Sequence, residues 1–155
     1  MDRVRVIGCG NPDAGDDAVG LLAVREARGS LPRGVDVVEA GLALRILDLL
    51  DGVDAVVVVD AVRGSFGGKP GALIRAEGGP DGLPAEIRSS VSSHGLGIPE
   101  AVALAGEVMP LPAVVFLGLE ASDLEIGHAL SPAVRAALPG LVEAIVAEVE
   151  ELIGR

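Results

Sequence analysis

Asp54-Ala55-Val56-Val57-Val58-Val59-Asp60 is the stretch whose reading decides the fold. Five apolar residues in a row, four of them β-branched, cannot alternate between a wet and a dry face, so both faces of this strand must be buried. Such a strand belongs in the interior of a parallel sheet with helices on each side. Working outward, residues 4–7 form a β-branched run halted by Gly8 and Gly10, and residues 35–38 and 113–119 read as further strands. Residues 16–28 carry Val19, Leu22, Ala23 and Ala27 at helical spacing. Helices are also expected over residues 42–50, from His94 or Ile98 to Val108, and over residues 132–153. Ser131 is the expected N-cap of the last, with Pro132 at its first position. A Gly- and Pro-rich stretch over residues 63–84 holds one additional strand at 72–75. The alternation predicts an α/β fold, a single three-layer α/β/α domain over residues 1–155 with a mostly parallel twisted sheet. Ligands of such sheets sit outside the carboxyl ends of the strands, where strand order reverses.

Composition narrows the chemistry. With 155 residues, half of them hydrophobic, one core is easily filled. Lys and Arg number 12 against 23 Asp and Glu, a net charge of −11, which repels phosphate backbones and anionic lipid heads. No nucleic-acid or membrane partner is therefore expected. Two Phe, no Trp and no Tyr leave nothing for base stacking or an aromatic cage. A single cysteine, Cys9, excludes a disulfide framework and a cysteine zinc cluster. The opening MDRVRVIGCGN has too short an apolar run for a signal peptide, and the longest apolar stretch falls far short of the ~20 residues of a membrane span. A cytoplasmic protein is expected.

The loop after the first strand, Gly8-Cys9-Gly10-Asn11-Pro12-Asp13-Ala14-Gly15-Asp16-Asp17, begins like a dinucleotide fingerprint. Its third glycine is replaced by Asp13, and Asp16 and Asp17 put negative charge where a pyrophosphate would bind, so no such cofactor is expected. Asp16 and Asp17 point about 100° apart on a helix and cannot share a role. As a structural pair, Asp16 caps the helix, a task asparagine performs about equally well, and Asp17 is a first-turn acid. Asp60 ends the valine strand at the carboxyl edge, placed to enter the crevice without being buried under helices. His94 follows a polar loop and precedes a helix, His128 reads as surface, and Cys9 between two glycines reads as a buried structural thiol. An acid from the first loop, Asp60 and His94 thus follow separate strands at one edge. Three O/N ligands with an open position suit a borderline divalent ion such as Zn²⁺ or Ni²⁺.

The pattern Gly8-x-Gly10-Asn11-(x)4-Asp16-Asp17-x-x-Gly20 resembles the N-terminal signature of the [NiFe]-hydrogenase maturation endopeptidases. Val59-Asp60-Ala61, Ser93-His94-x-Leu96, and Gly118-Leu119-Glu120 leading to Leu130-Ser131-Pro132 follow in the family's order and spacing, so the resemblance covers essentially the whole chain. It implies an endopeptidase that removes a C-terminal extension from a [NiFe]-hydrogenase large-subunit precursor after nickel insertion. It also implies that Asp17, Asp60 and His94 contact the metal and serve the catalytic step. The nickel is then substrate-borne, with Zn²⁺ or Cd²⁺ able to substitute at the site. Two departures, Glu39-Ala40-Gly41 where Asp-Gly-Gly is frequent and Ala121 where proline is frequent, bear on the substrate groove. The alternative from another class is a non-catalytic metal-sensing assembly factor or metallochaperone for the same precursor.

Overall fold

The computed structural model describes residues 1–41, 45–64, 68–78, 82–84, 87 and 97–155. Among them, five strands form one sheet: β1 Val4–Cys9, β2 Asp36–Ala40, β3 Ala55–Val62, β4 Leu73–Glu77 and β5 Ala113–Glu120. Four α-helices accompany them: α1 Val19–Ala27, α2 Ile46–Leu49, α3 Ile98–Val108 and α4 Pro132–Gly154. The sheet order is β2-β1-β3-β5-β4, parallel throughout except for β4, which pairs antiparallel to β5 at one edge. From β1 the chain crosses to β2 on one side and then to β3 on the other. Strand order therefore reverses between β1 and β3, and the crevice at their carboxyl ends is where such folds bind ligands.

Every residue of β3 is buried, as a strand apolar on both faces requires. Val57, Val59 and Ala61 pack with Leu117, Leu119 and the buried stripes of α1 and α4, among them Val24, Leu141 and Ile145. Val56, Val58 and Val62 face the other way, with Ile7, Cys9, Phe116 and the buried residues of α2 and α3, such as Ile46, Ile98 and Val102. These are the outer layers of the three-layer sandwich. Edge strand β4 alternates in burial, and its outward Arg75 pairs with Glu77 and with Glu148 of α4, each at 2.7 Å. Among the described residues no helix is long and apolar enough to cross a membrane.

Element boundaries depart from expectation at places that matter for the site. The strand expected to end at Asp60 runs on to Val62, because β5 continues alongside it, setting Asp60 opposite Gly118 and Val62 opposite Glu120. The helix expected over residues 16–28 is a 3₁₀ turn over Gly15–Ala18, then α1, then a second 3₁₀ turn over Arg28–Ser30. Residues 42–44 of the expected second helix lie outside the described residues, and its described part is α2.

Candidate functional site

The loop from β1 into α1 sits unusually close to the ends of β1 and β3, and glycine makes this possible. A Cβ on Gly20 would lie 2.5 Å from the carbonyl oxygens of both Cys9 and Val59 and 3.0 Å from the Asp60 Cα. Gly10, at φ +133°, turns beneath the Asp17 carbonyl in space no side chain could share. The first turn after the loop is thereby pressed onto the carboxyl ends of the two central strands, bringing Asp17 toward Asp60.

Asp17 and Asp60 both lie near enough to Cys9 for their charges to bear on its thiol. The side chain of Asp60 continues the Val56-Val58 face of β3, and Cys9 continues the Ile7 face of β1, so both belong to the α2/α3 side. Burial is the first cause of a Cys9 thiol held well above the usual range, and the charges of Asp60 and then Asp17 push it in the same direction. The thiol stays protonated at neutral pH, as expected of a structural cysteine and not of a nucleophile. The Asp17 carboxylate accepts the Asn11 N–H at 3.0 Å, and that of Asp60 accepts the Ala61 N–H at 2.8 Å. The expectation that Asp60 would stand open in the crevice is not met. It has no exposed surface and Asp17 only 6%, because pairing with β5 carries Asp60 into the body of the strand. His94 lies outside the described residues.

Asp16 is not a helix cap. Its side chain makes no capping hydrogen bond, is wholly buried and reaches across to the loop between β5 and α4. Its Oδ2 accepts the N–H groups of Ser122 and Asp123 at 2.8 and 2.9 Å and the Ser131 hydroxyl at 2.8 Å, while Oδ1 accepts the Ser131 N–H at 2.7 Å. Ser131 precedes α4 as expected, but its hydroxyl serves Asp16 and not the helix end. Backbone bonds lace the same two loops: Gly15 N–H to the His128 carbonyl, Asp16 N–H to the Asp123 carbonyl, and Gly127 N–H to the Asp13 carbonyl. His128 is exposed, as expected. Its Nδ1 lies 2.7 Å from Asp123 Oδ2, and that bond, reinforced by the charges of Asp123 and Glu125, holds the imidazole above its ordinary range.

A third acid, which sequence reasoning did not place in the site, stands on the same face. Glu120 ends β5 as the last residue of a run whose alternate members, Val114 and Phe116, face α3. It is 5% exposed; its Oε1 accepts the Gly64 N–H, and its Oε2 is buried with no partner among the described residues. The signal was present, since Glu120 closes an apolar strand much as Asp60 was expected to. Of the two departures noted in the sequence, Glu39 is taken up by Arg25 of α1 at 2.6 Å, which holds its carboxyl below the usual range, and Ala121 is buried.

Comparison with known proteins adds to this geometry. A family model described as hydrogenase maturation protease matches residues 22–148, a span that contains Asp60, His94 and Glu120. Protein FrxA of Pyrococcus furiosus is 31% identical over 141 residues, covering 88% of this chain and 98% of that protein. Among solved structures, the hydrogenase maturating endopeptidase HybD of E. coli superposes with a TM-score of 0.81 at 24% identity, covering 96% of this chain and 93% of that one. The [NiFe] hydrogenase maturation protease HybD of Thermococcus kodakarensis gives 0.68 at 29% identity, over 92% and 96%.

Proposed function

The chain belongs to the hydrogenase maturation protease family, and on that premise we propose that it removes the C-terminal extension of a [NiFe]-hydrogenase large-subunit precursor after nickel insertion. In this reading the nickel arrives with the substrate and is met by Asp17, Asp60 and His94. The observation that carries it is the close packing of the turn that bears Asp17 onto the strand ends that bear Cys9 and Asp60, at the point where strand order reverses. Two carboxylates withdrawn from water attract a cation more strongly than two on the surface, because less solvent screens them. Their oxygens, joined by an imidazole nitrogen, are a donor set for a borderline divalent ion, so Zn²⁺ or Cd²⁺ substitutes in the absence of substrate. Docking the substrate's metal fixes the scissile bond relative to the site, and misplacement by about 1 Å costs on the order of 10²-fold in rate. Action in the cytoplasm is part of the same proposal.

Mass spectrometry of the precursor, nickel-loaded and nickel-free in parallel, tests it. A C-terminal peptide is expected from the loaded form alone. Asp17→Asn, Asp60→Asn and His94→Ala are each expected to abolish or severely slow its release. Both asparagines keep an oxygen for the Asn11 or Ala61 N–H, so the fold should persist. Equal cleavage of the two forms rejects nickel sensing. No cleavage of a verified loaded partner assigns the chain to the non-catalytic assembly-factor class.

A further inference from the structure

The proposed reaction consumes a water, and Asp17 and Asp60, if engaged with a cation, are poorly placed to accept that water's proton as well. Glu120 is free to do so. The residue is 5% exposed, yet among the described residues only one oxygen is used, accepting the Gly64 N–H. The other, Oε2, has no donor among the described residues. A buried carboxylate oxygen without a partner is costly to the fold, and such groups persist where function requires them. Position agrees: Asp60 lies opposite Gly118 in register, and Glu120 is two residues further along β5 on the same face. One interstrand spacing across and two residues along put the Glu120 Cα about 8 Å from that of Asp60.

Resting on the endopeptidase reading, we propose that Glu120 is the general base of the hydrolysis. A water O–H gives its proton to Oε2 as the water oxygen bonds to the scissile carbonyl carbon. Collapse of the tetrahedral intermediate breaks the C–N bond, and the same proton passes from Glu120 to the departing nitrogen. One water is consumed, a carboxyl and an amine are produced, and Glu120 returns to its starting state. The Gly64 N–H anchors Oε1 and leaves Oε2 as the oxygen that takes the proton.

The test is single-turnover cleavage of the nickel-loaded precursor by the intact protein, with precursor affinity and thermal midpoint measured alongside. Glu120→Gln keeps an oxygen for Gly64 and the shape of the side chain but cannot take a proton. The expected result is a rate about 10²–10⁴-fold lower at unchanged affinity. In the wild type, cleavage is expected to be slower in D₂O than in H₂O, a readout that needs no variant. Glu120→Gln cleaving at the wild-type rate, a loss confined to affinity, or equal wild-type rates in the two solvents would overturn the assignment while leaving the endopeptidase reading intact. A wild type that never cleaves the loaded precursor overturns both.

Discussion

Asp16→Asn exchanges one carboxylate oxygen for an amide nitrogen in a side chain that four donors surround. The amide oxygen can stay at the Oδ2 position, facing the N–H groups of Ser122 and Asp123 and the Ser131 hydroxyl, but without the charge that strengthened those bonds. The amide nitrogen then confronts the Ser131 N–H, where 2.7 Å separates Oδ1 from that donor, and two donors repel at such a distance. Leaving a buried donor unsatisfied costs about 1–3 kcal/mol. Weakening three charge-assisted bonds adds to this, and release from burying a charge returns part of it, for a net loss of about 3 kcal/mol. At roughly 2–4 °C per kcal/mol for a domain of this size, the melting midpoint should fall by about 6–12 °C. With no Trp or Tyr in the chain, circular dichroism at 222 nm is the suitable assay. A midpoint within about 2 °C of wild type would refute the view that Asp16 staples two loops and restore a capping role, in which asparagine replaces aspartate at little cost.

Three other expectations follow from the site. Gly20→Ala drives a methyl into two strand-end carbonyls and should cost about 1–3 kcal/mol, read as a lower denaturation midpoint, while disturbing Asp60 and slowing cleavage. Cys9 in the native protein should resist iodoacetamide at pH 8 and react fully in denaturant, since both burial and its two acidic neighbours oppose the thiolate; rapid native labelling would show the site to be open. His128→Ala should be nearly silent at pH 8. Because Asp123 raises the folded-state pKa of this histidine, its contribution is fully present below the unfolded value of about 6.5 and disappears as pH rises through the folded one. Wild type and variant should therefore differ more in melting midpoint at pH 5.5 than at pH 8, and the reverse order would contradict the ion pair.

The valine strand was legible because its residues admit one environment only, and the alternation around it dictated the parallel sheet. Asp60 was correctly placed on β3 toward its carboxyl end, but its burial depends on how far β5 travels beside it, which no local pattern records. Asp16 was misread for a related reason: its four donors come from residues 106 to 115 positions away, so only the folded chain brings them together. Cys9 and His128 were read correctly from their immediate neighbours. Glu120 closes an apolar strand, the same local clue that singled out Asp60, but its place on the face of Asp60 depends on the register of β5 against β3, which no local pattern records.

The central place of β3 has a consequence for the chain as it is made. Four uncharged valines in succession, free of proline, are the kind of segment that zips to copies of itself. In the finished protein both of its edges are taken, by β1 and by β5. During synthesis β1 is available from the start, but β5 follows β3 by some fifty residues. At 5–20 residues per second that edge stays open for about 3–10 s, long enough for encounters between nascent or newly released chains. Asp54 and Asp60 flank the valines, and charges in such positions discourage intermolecular pairing. The carboxylate that the folded protein hides completely is thus, for a few seconds of each chain's life, a hydrated guard on its most adhesive segment.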